Sequence, residues 1–263
     1  MLHLPPEELP PRVRESLANA RDKLAAVGDY AARVADAERH WNNARPSVVN
    51  PVRATLQHMC GEAEACCYCA NSIGSEVEHV RPKALYPDET FVWPNLLLIC
   101  GRCNRRKNAR FSILVEGELV DVTRPRGAPI EPPQAGPMAL IDLRREDPLN
   151  FVELELETGI LVERPPAGTL EHVRAGYTIR ATLRLNDAPH PVWRRQAYDT
   201  FRARLSEIAR ALERGEDARY VDGLRATLLR LPQQLVWREM QRQADSLPRL
   251  GELFKAVPGA REW

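Results

Sequence analysis

Apolar residues recur at helical spacing through Val13, Leu17, Ala20 and Leu24, and again through Tyr30, Val34 and Ala37. Gly28, Pro46 and Pro51 punctuate this stretch. The pattern predicts an amphipathic helical segment over residues 1–59. After residue 112 the period shortens. FSILVEGELVDV and MALIDL read as short strands, separated by a Pro/Gly-rich loop at 124–137. FVELELETGILVERP alternates apolar and polar positions around Thr158 and Gly159, the pattern of a β-hairpin. From residue 168 helical spacing returns, with an Arg-rich stretch to about 214 and a break near Gly215. Further helices run to about 256, with Pro232 and Pro248 at helix starts or turns. The chain therefore reads as an α+β protein in four parts: 1–59 helical, 60–112 chemically dense, 113–167 short strands and a hairpin, and 168–263 helical and Arg-rich.

Composition changes this picture little. The formal net charge is +1, so the whole molecule exerts no pull on a polyanion, and any nucleic-acid site must be a local basic patch. No stretch approaches the run of about 20 apolar residues that a membrane span needs. The opening MLHLPPEELPPR carries prolines and acids where a signal peptide would carry a basic region and an apolar core, so a cytoplasmic location is expected.

The six cysteines change it more. Five of them fall into two tight groups, Cys66-Cys67-Tyr68-Cys69 and Cys100-Gly101-Arg102-Cys103. Each contains a C-x-x-C pair, and two such pairs can place four thiolates around a structural Zn²⁺ ion. Disulfides are disfavoured for C-x-x-C pairs in a reducing compartment. Cys66, Cys69, Cys100 and Cys103 are the expected ligands, although Cys67 is a rival to Cys66. Cys60 and His58 are read as core residues. The segment between the pairs is longer than a simple zinc ribbon requires, so it should carry a functional insert.

That insert holds Glu78-His79-Val80-Arg81-Pro82-Lys83, then Trp93 and Asn95, and the second pair leads into Asn104-Arg105-Arg106-Lys107. These residue types match the needs of phosphodiester hydrolysis. A neutral imidazole at His79 can take a proton from water. The Glu78 carboxylate and the Asn104 amide oxygen can hold a hard divalent cation, Mg²⁺ or Mn²⁺. Arg102, Arg105, Arg106, Lys107 and Arg110 form a run without an acid, suited to phosphate, and Arg81 and Lys83 flank the histidine.

Together these residues resemble the HNH, or ββα-metal, endonuclease motif, with Glu78-His79 as its first element, Asn95 as its second and Asn104 as its third. The resemblance implies that His79 activates water, that Glu78 and Asn104 hold the metal, and that Asn95 orients the histidine-bearing loop. It also implies a zinc-stapled ββα core flanked by the helical and β segments. Many members carry Asp where this chain has Glu78. CCYC, EHVRPK, NLLLICGRCN, LIDL with EDP at 146–148, and TIRATLRLN are similar to the HNH nucleases encoded with Septu-type and retron-linked anti-phage systems. That similarity implies a DNA substrate and an ABC-type ATPase partner. The alternatives are an HNH nuclease of a restriction system or mobile element, and a non-catalytic zinc-ribbon module that binds nucleic acid or bridges proteins.

Residues 174–210 carry eight arginines against Asp187, Asp199 and Glu207. They suggest a second DNA-contacting face, or equally a solvated helix or a docking surface.

Overall fold

The computed structural model describes residues 1–263. The predicted helical segment is three helices: α1 (Pro11–Ala25), α2 (Tyr30–Asn42) and α3 (Pro46–Met59). Proline at the first turn starts α1 and α3, where its missing N–H costs nothing. The Asp29 carboxylate caps α2 by accepting from the Ala32 N–H at 2.7 Å. Pro51 was expected to interrupt the chain, yet α3 runs through it. Burial of Val52, Leu56 and Met59 on one face of α3 offsets the lost backbone hydrogen bond.

The central unit follows. Strand β1 (Glu76–His79) pairs antiparallel with β2 (Leu96–Ile99), in the register Glu76↔Ile99 to His79↔Leu96. Helix α4 (Gly101–Lys107) follows one residue later and packs on β1. All four β2 side chains are sealed from solvent, which is why LLLI is a continuous apolar run and not an alternating one. Removing one of them, as in Leu98→Ala, is a core truncation costing about 2–5 kcal/mol. The chain before β1 lies hard on this strand: a Cβ on Gly74 would fall 2.5 Å from Leu98 Cγ.

Two hairpins come next, β3 (Ser112–Val115) with β4 (Glu118–Asp121) and β5 (Val152–Glu155) with β6 (Ile160–Glu163). The first turns through Glu116 and Gly117, both at positive φ, as a two-residue hairpin loop demands. The expected MALIDL strand does not form. Residues 139–143 are buried, but their backbone is satisfied piecemeal by the Thr178 hydroxyl, the Glu146 carboxylate and Leu4. An apolar run fits a buried coil as well as a strand when side chains replace the ladder.

The C-terminal part comprises α5 (Leu170–Gly176) running into a π-helical turn at Tyr177–Thr182, then α6 (His190–Glu213), α7 (Ala218–Leu229), α8 (Gln234–Gln243) and α9 (Pro248–Lys255). The predicted Arg-rich helix is thus broken between Thr182 and His190. There Asn186 leaves helical geometry to bond both backbone groups of Leu161 at the edge of β6. One cluster of 52 buried residues, from Met1 to Ala260, draws on every part except the β3–β4 hairpin, whose Ile113 packs with Leu85 and Phe111 in a small cluster of its own. No helix is long and apolar enough to cross a membrane.

Candidate metal and active site

The sulfurs of Cys66, Cys69, Cys100 and Cys103 all lie within 4.8 Å of one another. The first pair sits on a tight turn in which the Ala70 N–H donates to the Cys66 carbonyl. The second pair brackets the start of α4. Thiols of Cys103, Cys66 and Cys69 point at Cys100 and hold it below the usual thiol range, while the same contacts push Cys66 and Cys103 up. Four sulfurs with no oxygen donor among them suit zinc. Cys67 is outside the cluster. Its backbone pairs with Leu98 and Leu2, and burial pushes its thiol up. Of the two rivals, Cys66 is the one whose sulfur stands with Cys69, Cys100 and Cys103. Arg194 of α6 is buried beside the cluster, where burial lowers it to about 10 against the opposing pull of Cys69. A buried guanidinium there offsets the negative charge that four thiolates would leave on a bound zinc ion. Cys60 is a buried core residue as expected, whereas His58 is exposed and pairs with Glu7 at 2.9 Å.

Strand alternation sets the other half of the site. Glu76 and Glu78 share one face of β1 and meet α4, where Asn104 and Lys107 stand one helical turn apart. The Asn104 Nδ2 group donates to the Glu76 carboxylate, and the Lys107 Nζ donates to Glu78 Oε1 at 2.8 Å. This leaves Asn104 Oδ1 and Glu78 Oε2 as uncommitted oxygens. Both residues line a cavity of about 230 Å³ that also contains His79 and Lys83.

His79 ends β1 and is 2% exposed. Its ring lies edge-on to Trp41 of α2, with centroids 4.5 Å apart. Its Nε2 is 3.0 Å from the Thr90 carbonyl oxygen. A carbonyl only accepts, so Nε2 carries the proton and Nδ1 keeps its lone pair. Nδ1 has no protein partner. Burial, reinforced by Lys83 and Lys107, pushes the imidazole down to about 3 against the Thr90 hydrogen bond, so it is neutral at pH 7.

Asn95 is buried and holds the loop that leaves β1. Its Oδ1 accepts from the Arg81 N–H at 2.8 Å, and its Nδ2 donates to the Arg81 and Glu89 carbonyls at 3.1 and 3.0 Å. The same loop supplies Thr90. A β-β-α unit thus presents an acid, a neutral imidazole and an amide to one cavity, with a cysteine pair at each end.

Residues 66–110 match the HNH endonuclease family. The HNH span opens at the first knuckle cysteine and closes at Arg110. It contains the four clustered cysteines, Glu78, His79, Asn95 and Asn104, and it supports a nuclease or nucleic-acid-related function. No curated protein matches the chain.

Helix α4 does not present the expected basic stripe. Lys107 is fully buried on Glu78 and cannot reach a phosphate in this geometry. Arg106 donates to the Leu183 and Arg184 carbonyls and pairs with Asp187 at 3.0 Å. Arg102 donates to the Ala188 carbonyl at 2.7 Å. These three are consumed within the molecule because one face of a short helix covers β1 and another packs on the 183–188 segment. Arg105 and Arg110 remain exposed, and Lys83 lines the cavity. Arg81 stacks on Tyr86 with its guanidinium 4.9 Å from the ring centre. Seven of the eight arginines of 174–210 are similarly engaged or buried, and Arg210 is exposed without an ion pair. Arg174 pairs with Glu146, Arg180 with Glu163, Arg184 with Asp187, Arg195 and Arg202 with Asp199, and Arg204 with Glu207, while Arg194 is buried.

Three neighbours of the candidate site, Glu76, Trp41 and Thr90, are absent from the residues singled out in the sequence. Glu76 was legible: it lies two positions before Glu78 in a strand, hence on the same face. Trp41 and Thr90 were not, because only the packing of α2 and the Asn95-held loop brings them to His79.

Proposed function

We propose that the chain is a metal-dependent HNH endonuclease that hydrolyses phosphodiester bonds of DNA. The observation that carries this reading is His79: a buried, neutral imidazole with its Nε2 proton fixed by Thr90 and its Nδ1 lone pair unclaimed, lining one cavity with Glu78 and Asn104. In this reading a water placed against Nδ1 gives up its proton to His79 as it attacks phosphorus. Asn95 and Trp41 hold the ring and its loop in place, and Lys83 faces the phosphate. Glu78 Oε2 and Asn104 Oδ1 are hard oxygen donors, and a divalent cation held there would neutralise charge on the phosphate and on the departing oxygen. The four clustered cysteines take one structural zinc ion.

The similarity of 139–148 and 178–186 to Septu-type and retron-linked nucleases supports a role in cytoplasmic anti-phage defence beside an ABC-type ATPase. Co-purification with the ATPase of a neighbouring gene tests that partner. The non-catalytic zinc-ribbon alternative accounts for the cysteines but leaves the prepared tautomer of His79 unexplained.

Plasmid cleavage with Mg²⁺ or Mn²⁺ tests the activity. His79→Ala is expected to lower the rate by about 10²- to 10⁴-fold while zinc content and DNA affinity persist. Cleavage at the parent rate by the purified variant overturns the assignment.

A further inference from the structure

Helix α2 lies outside the HNH span, yet two of its residues belong to the site. Trp41 is set edge-on against His79. Glu38, one helical turn earlier and therefore on the same face of α2, lines the cavity with Glu78, His79 and Asn104. Every other carboxylate at this place is committed: Glu76 accepts from Asn104, and Glu78 is paired with the buried Lys107. Glu38 makes no ion pair and no side-chain hydrogen bond, and its side chain is exposed toward the cavity mouth.

Charge gives that carboxylate a purpose. The Lys107 ammonium neutralises Glu78, and Lys83 adds a positive charge to the cavity wall. With the carboxylates of Glu76 and Glu78 offset by Lys107 and Lys83, a divalent cation approaching the uncommitted oxygens of Glu78 and Asn104 meets no net negative charge. Small divalent cations are held by oxygen donors, usually by one or two carboxylates with several retained waters. Resting on the endonuclease reading, we propose that Glu38 is a further acidic ligand for the catalytic divalent cation, acting directly or through a retained water. The N-terminal helical segment then completes the active site that the HNH span begins.

The test is Mn²⁺ binding to zinc-loaded full-length protein without DNA, read by the loss of the free Mn²⁺ electron paramagnetic resonance signal. Glu38→Gln is expected to weaken binding about tenfold and to raise the Mn²⁺ concentration needed for half-maximal plasmid cleavage in parallel. Glu38→Asp should fall between parent and Gln. Glu15→Gln, an exposed acid on α1, removes the same charge elsewhere and should bind as the parent does. Because Glu38 has no partner, unchanged zinc content and thermal unfolding are expected in the variant. Parent-like Mn²⁺ binding by Glu38→Gln, with binding lost in Glu78→Gln, overturns the role of Glu38 and leaves the endonuclease reading standing. An equal loss in Glu15→Gln also overturns it, since the effect is then long-range charge. Absence of Mn²⁺ binding by the parent overturns both.

Discussion

Lys107 has no contact with solvent, and Glu78 is its charged partner. Removing one member of such a pair leaves the other buried and uncompensated, which costs about 3 kcal/mol or more. Lys107→Met is therefore expected to lower stability by that order in urea unfolding. Added Mn²⁺ should restore part of the loss, because a cation on Glu78 substitutes for the ammonium; full stability without Mn²⁺ would show that the pair carries no weight. His79 has a separate signature. Its folded value lies at about 3, below the ordinary 6.5, so the unfolded chain binds a proton that the folded chain refuses. Stability from this group is intact above pH 6.5 and falls as pH drops through the window toward 3, at up to about 1.4 kcal/mol per pH unit. His190, lowered to about 4 chiefly by burial, adds a loss of the same sign. His79→Gln should remove its own share, so parent and variant should converge in stability between pH 7 and pH 5, by roughly 2 kcal/mol. Parallel pH profiles would contradict the burial of a neutral imidazole.

At the scale of elements, the β-β-α unit is made of pieces too small to stand alone. Strands β1 and β2 have four residues each and α4 has seven, well short of an independently stable helix. The cysteine pairs tie the turn before β1 to the first turn of α4, so a zinc ion at their centre would close the unit. About one zinc per chain is expected by elemental analysis, and its removal by a chelator should unfold the cavity before the C-terminal helices. Cys66→Ser should release the metal, whereas Cys67→Ser should retain it, since the Cys67 sulfur stands outside the cluster. Retention by Cys66→Ser would reassign the ligand.

Across the whole molecule, helix α4 is wedged between the strands and the C-terminal region, and its cations divide accordingly. Arg106 bonds three groups of the 183–187 segment, so Arg106→Ala is expected to act mainly on thermal stability. Arg105 and Arg110 are exposed, and each directly follows a residue that lines the cavity, Asn104 and Ala109. Replacing both with Ala should weaken DNA binding uniformly and reduce the salt slope by about 2, roughly one for each lost phosphate contact. The reverse assignment, with Arg106 controlling the slope, would mean that α4 undocks on binding DNA. The 174–210 arginines are also paired: Arg174 and Arg180 tie this region to Glu146 and Glu163, while the pairs of Arg184, Arg195, Arg202 and Arg204 are local, exposed contacts that contribute little to stability.

The local chemistry was written in the sequence. Spacing within C-x-x-C pairs, the Glu78-His79 step and the position of Asn104 after Cys103 are fixed by covalent connectivity, and strand and helix periods carry them to one place. Hairpin β5–β6 was legible for the same reason, because alternation around Thr158 and Gly159 is a local pattern. Only the tertiary structure decided which of Cys66 and Cys67 faces the other pair, since a one-residue choice on a turn depends on what packs behind it. It also decided the fate of the basic run. Charge can be read from a sequence, but exposure cannot, and Lys107 and Arg106 face inward because β1 and the 183–187 segment occupy the two sides of α4. Glu38 and Trp41 show the limit most plainly: they stand some forty residues before His79, and no local pattern links them to it. What links them is the burial of Val34 and Ala37, which fixes the face that α2 turns to the core and so the face it turns to the site.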